Sequence, residues 1–416
     1  MTSTAVLIGT LDTKGREYEF VRSALEGAGL DVVLIDVGVL ADPSIPADVS
    51  ATEVARAADV ALDELRFARE GSDTRALALE VMSRGAVAVV ADLRAAGRCD
   101  GVLGLGGSGG SALLSAVMRS LPLGMPKLLV STMGSGDVGP YVQSSDLCIL
   151  HSVTDIAGLN RISRPILRNA AGALAGMIAA ASESSGVEQA PAVGVTMLGV
   201  TTPAGLRIVE RLERAGFDPI VFHAVGSGGR ALESLVGEGV LSGVIDLTIK
   251  EVTDDLLGGV FVAGPDRLRT AGRLGVPHVV VPGAVEVINF GAFDTVPEQF
   301  RDGSRPLVRH NAQVTAVRAT PEELLRIADE VAARLNAAVG SVEVLVPRGG
   351  FDSYDAPGGP FADPASDAAF IERLVGALRP EITVTTFDSH INDAAFADAV
   401  ADRFIAAHEQ RGTALD

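Results

Sequence analysis

Only three lysines, Lys14, Lys127 and Lys250, stand in this 416-residue chain, against 31 arginines. Two of them follow apolar strand-like runs: Lys14 in Gly9-Thr-Leu-Asp-Thr-Lys-Gly15, with Thr10 beside it, and Lys250 after Asp246-Leu-Thr248. A flexible ammonium in such a loop suits the phosphates of a polyphosphate, although an ordinary solvated lysine looks the same in sequence. The backbone offers a second kind of chemistry in Gly104-Leu-Gly-Gly-Ser-Gly109, which sits between an apolar run and a helical pattern. A strand, a glycine-rich turn and a helix aim unpaired N–H groups at one point, here from Gly106, Gly107, Ser108 and Gly109, and so form an anion site. The alternative is a turn that merely lets a helix approach a sheet. Gly104, Gly106 and Gly109 also match the dinucleotide fingerprint. The following strand ends without a ribose-binding carboxylate, which disfavours NAD, and no Gly-Lys-Ser/Thr occurs to make a P-loop.

Further polar groups fall at comparable places. Thr132, Gly134 and Ser135 lie in Ser131-Thr-Met-Gly-Ser-Gly-Asp-Val138, where Asp137 offers a carboxylate to Mg²⁺ on a nucleotide. The glycine-rich device recurs in Phe222-His-Ala-Val-Gly-Ser-Gly-Gly-Arg230, through Gly226, Gly228 and Gly229. His223, His310 and His390 each follow a strand-like run and are candidate acids or bases, or structural hydrogen-bonders. Arg348 follows the run ending at Pro347. Ser108 reads as a phosphate donor before a nucleophile, and no His/Cys spacing suits zinc.

These loops need strands and helices to hold them. Apolar runs at 4–10, 32–37, the start of 100–121 and 127–130 alternate with helical patterns at 17–28, 51–69, 73–96, the end of 100–121 and 162–181, the signature of a doubly wound parallel sheet. The polar stretch 182–191 reads as a linker, after which the pattern restarts at 193–198. Ala24-Leu-Glu-Gly-Ala-Gly-Leu-Asp and Arg211-Leu-Glu-Arg-Ala-Gly-Phe-Asp keep one register, so both halves open on a similar βαβ unit. Residues 350–364, with Pro357-Gly-Gly-Pro360, read as a lid or long active-site loop. Composition narrows the rest. A net charge of −19 argues against nucleic acid or an anionic membrane as main partner. The apolar run 170–181 is far short of the ~20 residues that span a bilayer. Two cysteines without a framework, and no basic signal start, place the chain in the cytoplasm.

At these loops the chain resembles the uncharacterised bacterial and plant family typified by the N-terminal region of the tomato mosaic virus resistance protein, usually labelled an ATP-binding domain. The likeness rests on the motifs quoted above and on Gly199-Val-Thr-Thr-Pro203, Val287-Ile-Asn-Phe-Gly291, His310-Asn311, Pro347-Arg-Gly-Gly350 and His390-Ile-Asn-Asp393. The resemblance implies two Rossmann-like halves, ATP with Mg²⁺, a homodimer and, because plants fuse a TIM barrel downstream, a separate TIM-barrel partner chain. Three positions depart from the family pattern. Ala204 replaces a usual cysteine, Ile249-Lys250-Glu251 replaces Thr-Thr-Glu, and Glu286 replaces an aspartate.

The expectation is therefore an α/β protein of two Rossmann-like doubly wound domains, residues 1–187 and 188–416, facing a central cleft. ATP–Mg²⁺ would be held by Thr10, Lys14, the 106–109 turn, Thr132, Gly134, Ser135, Asp137 and the 226–229 turn. Lys250, His310, His390 and Arg348 would act on a small substrate, in a phosphotransferase or ATP-dependent ligase. The rivals are a nucleotide-gated binding protein without catalysis and a phospho-sugar enzyme that does not use ATP.

Overall fold

The computed structural model describes residues 2–67, 72–183 and 190–415. Most of the expected linker 182–191, and the junction between the helical patterns 51–69 and 73–96, fall outside them. The chain divides into two compact units, Met1–Val187 and Glu188–Asp416.

The first unit is built on five strands: β1 (Thr4–Gly9), β2 (Asp31–Asp36), β3 (Gly101–Gly106), β4 (Lys127–Ser131) and β5 (Cys148–His151). They lie in the order β2-β1-β3-β4-β5 and every neighbouring pair is parallel. Successive side chains point to opposite faces, and both faces are covered. Ala5, Leu7, Leu103 and Val130 enter one core with Leu174 of the helix Ser163–Glu183, while Val6, Ile8, Val102 and Leu129 enter the other. Burial on both faces is why these strands read as unbroken apolar runs. β5 lacks that signal because it is a half-exposed edge strand.

The chain leaves β1 toward β2 and then reverses to β3, so the sheet has its switch point between β1 and β3. Open α/β sheets leave a ligand crevice there, at the carboxyl ends of the strands. Tyr18 fills the base of that opening. Its hydroxyl donates to the Ile8 carbonyl at 2.5 Å and accepts from the Leu105 N–H at 2.7 Å. The sequence pattern starts the first helix at residue 17, but the structure starts it at once after the strand, as Leu11–Gly27. The reason is Asp36 at the end of β2, whose carboxylate accepts the Leu11 N–H at 3.1 Å and satisfies a first-turn donor.

The second unit repeats this plan with one strand more. β6 (Ala192–Met197), β7 (Asp218–His223), β8 (Gly243–Thr248), β9 (His278–Gly283), β13 (Val342–Pro347) and β14 (Thr383–Phe387) form a parallel sheet in the order β14-β13-β9-β8-β6-β7. Between β9 and β13 the chain inserts a three-stranded antiparallel sheet, β10 (Val287–Phe290), β11 (Leu307–Arg309) and β12 (Thr315–Arg318), in the order β10-β12-β11. Its strands alternate. Ile288, Phe290 and Val317 enter the main core of this unit, so Val287, Asn289 and Ala316 face the other way. Among the described residues no helix is long and apolar enough to cross a membrane. The architecture is thus two parallel-sheet α/β domains of Rossmann-like kind.

Candidate functional site

In the first unit the ends of β3 and β4 bring part of the expected phosphate site together. The helix Ser108–Arg119 starts at Gly107, which caps it without a side chain, so its first-turn N–H groups stay open. A Cβ on Gly107 would meet only the Thr132 hydroxyl, at 3.8 Å, and the Arg75 guanidinium lies 3.7 Å from where a Cβ on Gly109 would be. Sequence reasoning missed Arg75, whose helix is distant in the chain. None of these glycines has a positive φ. Gly106 alone of the three serves close approach: a Cβ on it would sit 2.6 Å from the Ser111 nitrogen and 2.7 Å from the Gly110 carbonyl carbon. Gly106→Ala is therefore expected to cost about 1–3 kcal/mol by overpacking, and Gly107→Ala within about 0.5 kcal/mol. Urea midpoints of the two variants decide, and equal midpoints would contradict the distinction.

The neighbouring candidates are partly engaged. Lys14 lies inside the first helix with non-helical φ/ψ, and its ammonium donates to the Ile156 carbonyl at 2.7 Å. Thr10 shares a hydrogen bond with Thr13 at 2.8 Å. Thr132 and Gly134 are half-buried and Ser135 is exposed. Asp137 is also exposed and accepts the Gly139 N–H at 3.0 Å, capping the following turn. Among the described residues no three His, Cys, Asp or Glu side chains stand together as a metal site.

The second glycine-rich turn requires a correction. Its donors already hold an anion, and the anion is the chain's own. The Glu251 carboxylate accepts the N–H groups of Gly226 at 2.6 Å and Gly229 at 3.1 Å. Gly226 sits at φ +86°, and a Cβ on Gly229 would lie 2.3 Å from Glu251 Oε2. Gly228 lets the helix pass the β7 end, since its Cβ would be 2.0 Å from the His223 carbonyl oxygen. Gly226, Gly228 and Gly229 thus cradle a carboxylate where a phosphate was expected. Behind them Arg267, fully buried, pairs with Glu251 at 2.7 Å, Asp246 at 2.6 Å and Glu233 at 3.5 Å. Burial pushes Asp246 up, yet Arg267 and His278 outweigh it and hold that carboxyl well below the usual range.

Lys250 is corrected likewise. It opens the helix Lys250–Leu257, is fully buried, and gives its ammonium to Asp254 at 2.7 Å, 4.6 Å above the Phe261 ring. Burial lowers its proton affinity and Asp254 opposes the shift. A lysine so enclosed reaches no open cleft. Arg348 is exposed and lies 3.5 Å from Asp388. His390 has both ring nitrogens engaged, Nε2 with the Asp352 carbonyl at 2.8 Å and Nδ1 with the Asn392 N–H at 3.1 Å. It positions the Asp352 loop.

That loop lines the pocket on which the second unit's elements converge, a cavity of about 180 Å³. Its polar wall holds His223 from the end of β7, Asn289 from β10, His310, Asn311, Asp352 and Tyr354. Leu198 and Val200 after β6, with Phe261, add apolar surface. A groove of about 690 Å³ in the first unit lies instead at the amino ends of β1 and β2, away from the crevice. His310 Nδ1 meets the Tyr354 hydroxyl at 2.8 Å. The expected lid is packed down: Phe351 and Phe361 are buried, which fixes Asp352 and Tyr354 between them.

Asp352 is fully buried; its Oδ1 accepts the Tyr354 and Asp355 N–H groups at 2.7 and 3.0 Å. Apart from each other, its Oδ2 and the two oxygens of the fully buried Glu286 meet no donor. Two such carboxyls close on each other only when one carries a proton. Burial first, then the charges of Asp352 and Asp355, raise Glu286 well above the ordinary range. Burial pushes Asp352 up to about 6, while the hydrogen bond from Glu286 restrains it. Glu286 is thus the protonated donor and Asp352 the ionised acceptor at neutral pH. Arg318 supplies no free charge here, being taken up by Asp355 at 3.2 Å and Asp367 at 2.7 Å.

Comparison with known proteins follows the same division. Residues 3–183 match the N-terminal domain and residues 190–408 the C-terminal domain of the Uncharacterised protein family (UPF0261). A UPF0261 protein of Clostridium tetani is 39% identical over 407 residues, 97% of this chain and 99% of that protein. The ToMV resistance protein Tm-1 of Solanum lycopersicum is 40% identical over 340 residues, 80% of this chain and 45% of that protein. Among solved structures, a UDP-GlcNAc 2-epimerase from Methanocaldococcus jannaschii aligns over 96% of this chain and 92% of its own, at 10% identity and a TM-score of 0.22. The chain belongs to the UPF0261 family.

Proposed function

We propose that this protein is an ATP–Mg²⁺-binding enzyme that acts on a small polar molecule in the pocket of its second unit, as a phosphotransferase or ATP-dependent ligase. The observation that carries the enzymatic part is the Glu286–Asp352 carboxyl pair beside that pocket. A buried acid with a proton affinity near 6, next to a protonated partner and a His310–Tyr354 pair, is equipped to take and return a proton near neutral pH. The nucleotide part rests on the first unit. There the open N–H groups after Gly107, with Thr132 and Arg75 beside them, suit phosphate oxygens. A magnesium ion carried by those phosphates would find oxygen donors in Thr132, Ser135 and Asp137. The same reading keeps the homodimer that the resemblance implies.

Thermal unfolding with ATP–Mg²⁺ and with NAD tests the nucleotide. A ligand at 100 times its dissociation constant adds about 2.7 kcal/mol, so ATP–Mg²⁺ raises the melting temperature and NAD does not. A shift with NAD alone overturns the reading. Gly107→Ala, which spares the fold, is expected to weaken ATP about tenfold, or ~1.4 kcal/mol, by placing a methyl group in the cradle. Unchanged affinity moves the site elsewhere.

A further inference from the structure

We infer that the pocket of the second unit recognises the ammonium group of a small primary amine, seated on the Asp352 carboxylate and the side-chain carbonyl of Asn289. The inference rests on the reading of this pocket as the substrate site and deepens it by naming the substrate class.

The wall has buried acceptors to spare. Asn289 is 5% exposed, and its Oδ1 has no partner. Asp352 Oδ2 has only the Glu286 carboxyl beside it. A buried acceptor without a donor costs free energy comparable to a lost hydrogen bond, so a ligand rich in donors is favoured. His310 and Tyr354 satisfy each other at 2.8 Å.

Charge selects among donors. Two buried cations of this unit are held in ion pairs, Lys250 with Asp254 and Arg318 with Asp355 and Asp367. Among the described residues no lysine or arginine lines the wall to meet a phosphate or carboxylate, while Asp352 is ionised above about pH 6. An ammonium supplies both the donors and the missing charge, and the Tyr354 ring lining the cavity suits a cation. Size sets the rest. The cavity of about 180 Å³ equals the liquid volume of about six waters, so the group that enters is small.

Ligand-detected NMR titration of the full chain at pH 7.5 with 3-amino-1-propanol, 1,3-propanediol and 3-hydroxypropanoate tests this on one carbon skeleton. The amine is expected to bind at least tenfold more tightly than the diol, and the carboxylate not to bind. Asp352→Asn should bring the amine to the level of the diol, and Asn289→Ala, which keeps the strand's backbone pairing, should weaken the amine at least threefold. Equal or better binding of the diol or the carboxylate, no binding of any probe, or an amine preference that survives Asp352→Asn overturns the inference. ATP–Mg²⁺ titrated separately keeps the two readings apart. ATP binding without amine preference defeats this one alone, and amine preference without ATP binding defeats the nucleotide reading alone.

Discussion

Arg267→Met is expected to destabilise the second unit by about 3–5 kcal/mol, the largest effect of any single change considered for this protein. Arg267 is fully buried, and its guanidinium faces Asp246, Glu251 and Glu233 while also donating to the Thr248 carbonyl at 3.1 Å. Burial alone would lower its proton affinity, but the three carboxylates raise it above the ordinary value. Methionine fills similar space yet leaves those carboxylates in a dry interior without a counter-charge. Glu251 would feel this first, because it also carries the Gly226–Gly229 turn. Each kcal/mol moves the melting temperature of a domain of this size by roughly 2–4 °C, so calorimetry should show a loss of at least several degrees. Arg214, exposed and paired with Glu210, is the control: Arg214→Met should fall within about 0.5 kcal/mol. Similar losses for both variants would refute the picture of a charge-balanced core.

Asp352→Asn is expected to stabilise the protein at high pH and leave it unchanged at low pH. The carboxyl has a higher proton affinity folded, about 6, than the ordinary value of 3.8. Folded chains therefore bind more protons than unfolded ones between those values, and stability falls as pH rises through that window. Two pH units correspond to ~3 kcal/mol, a cost fully present above about pH 6 and absent below about pH 4. Asparagine removes it, since its carbonyl can still accept the Tyr354 and Asp355 N–H groups while its amide faces Glu286. The melting temperature of the variant should exceed that of the parent by several degrees at pH 8 and match it at pH 4. A variant less stable than the parent at pH 8 would mean that Asp352 is not strained by its burial. With the expected loss of amine recognition, the result would mark a residue kept for its chemistry at the expense of stability.

Much of the scaffold was legible because its cause is local. Strands covered on both faces are mainly apolar, and β1, β3, β6, β8 and β9 show this in the primary sequence, with polar exceptions such as Asp246 and His278 that pair with each other. Helices between them and a turn residue such as Gly29, at φ +86°, complete a pattern that only an α/β sheet satisfies. Elements whose stability is not local were lost. β5 is a half-exposed edge, and β10 and β11 have four and three residues and exist through their pairing with β12.

The site divides along the same line. The sequence by itself determined the α/β scaffold and which loops are rich in glycine, histidine and acid, because residue type and spacing carry that information. It could not say what each loop holds. Two glycine-rich turns of nearly the same composition end differently: the one after β3 keeps its N–H groups open, and the one after β7 is filled by Glu251. Lys250 looks like a loop cation and is a buried partner of Asp254, four residues along a helix. Glu286 and Asp352 lie 66 positions apart and form one acid pair only because the inserted sheet and the 350–364 segment pack on the same core. Proton affinity and partner choice depend on burial and on charges brought together across the chain, and those are properties of the tertiary structure alone.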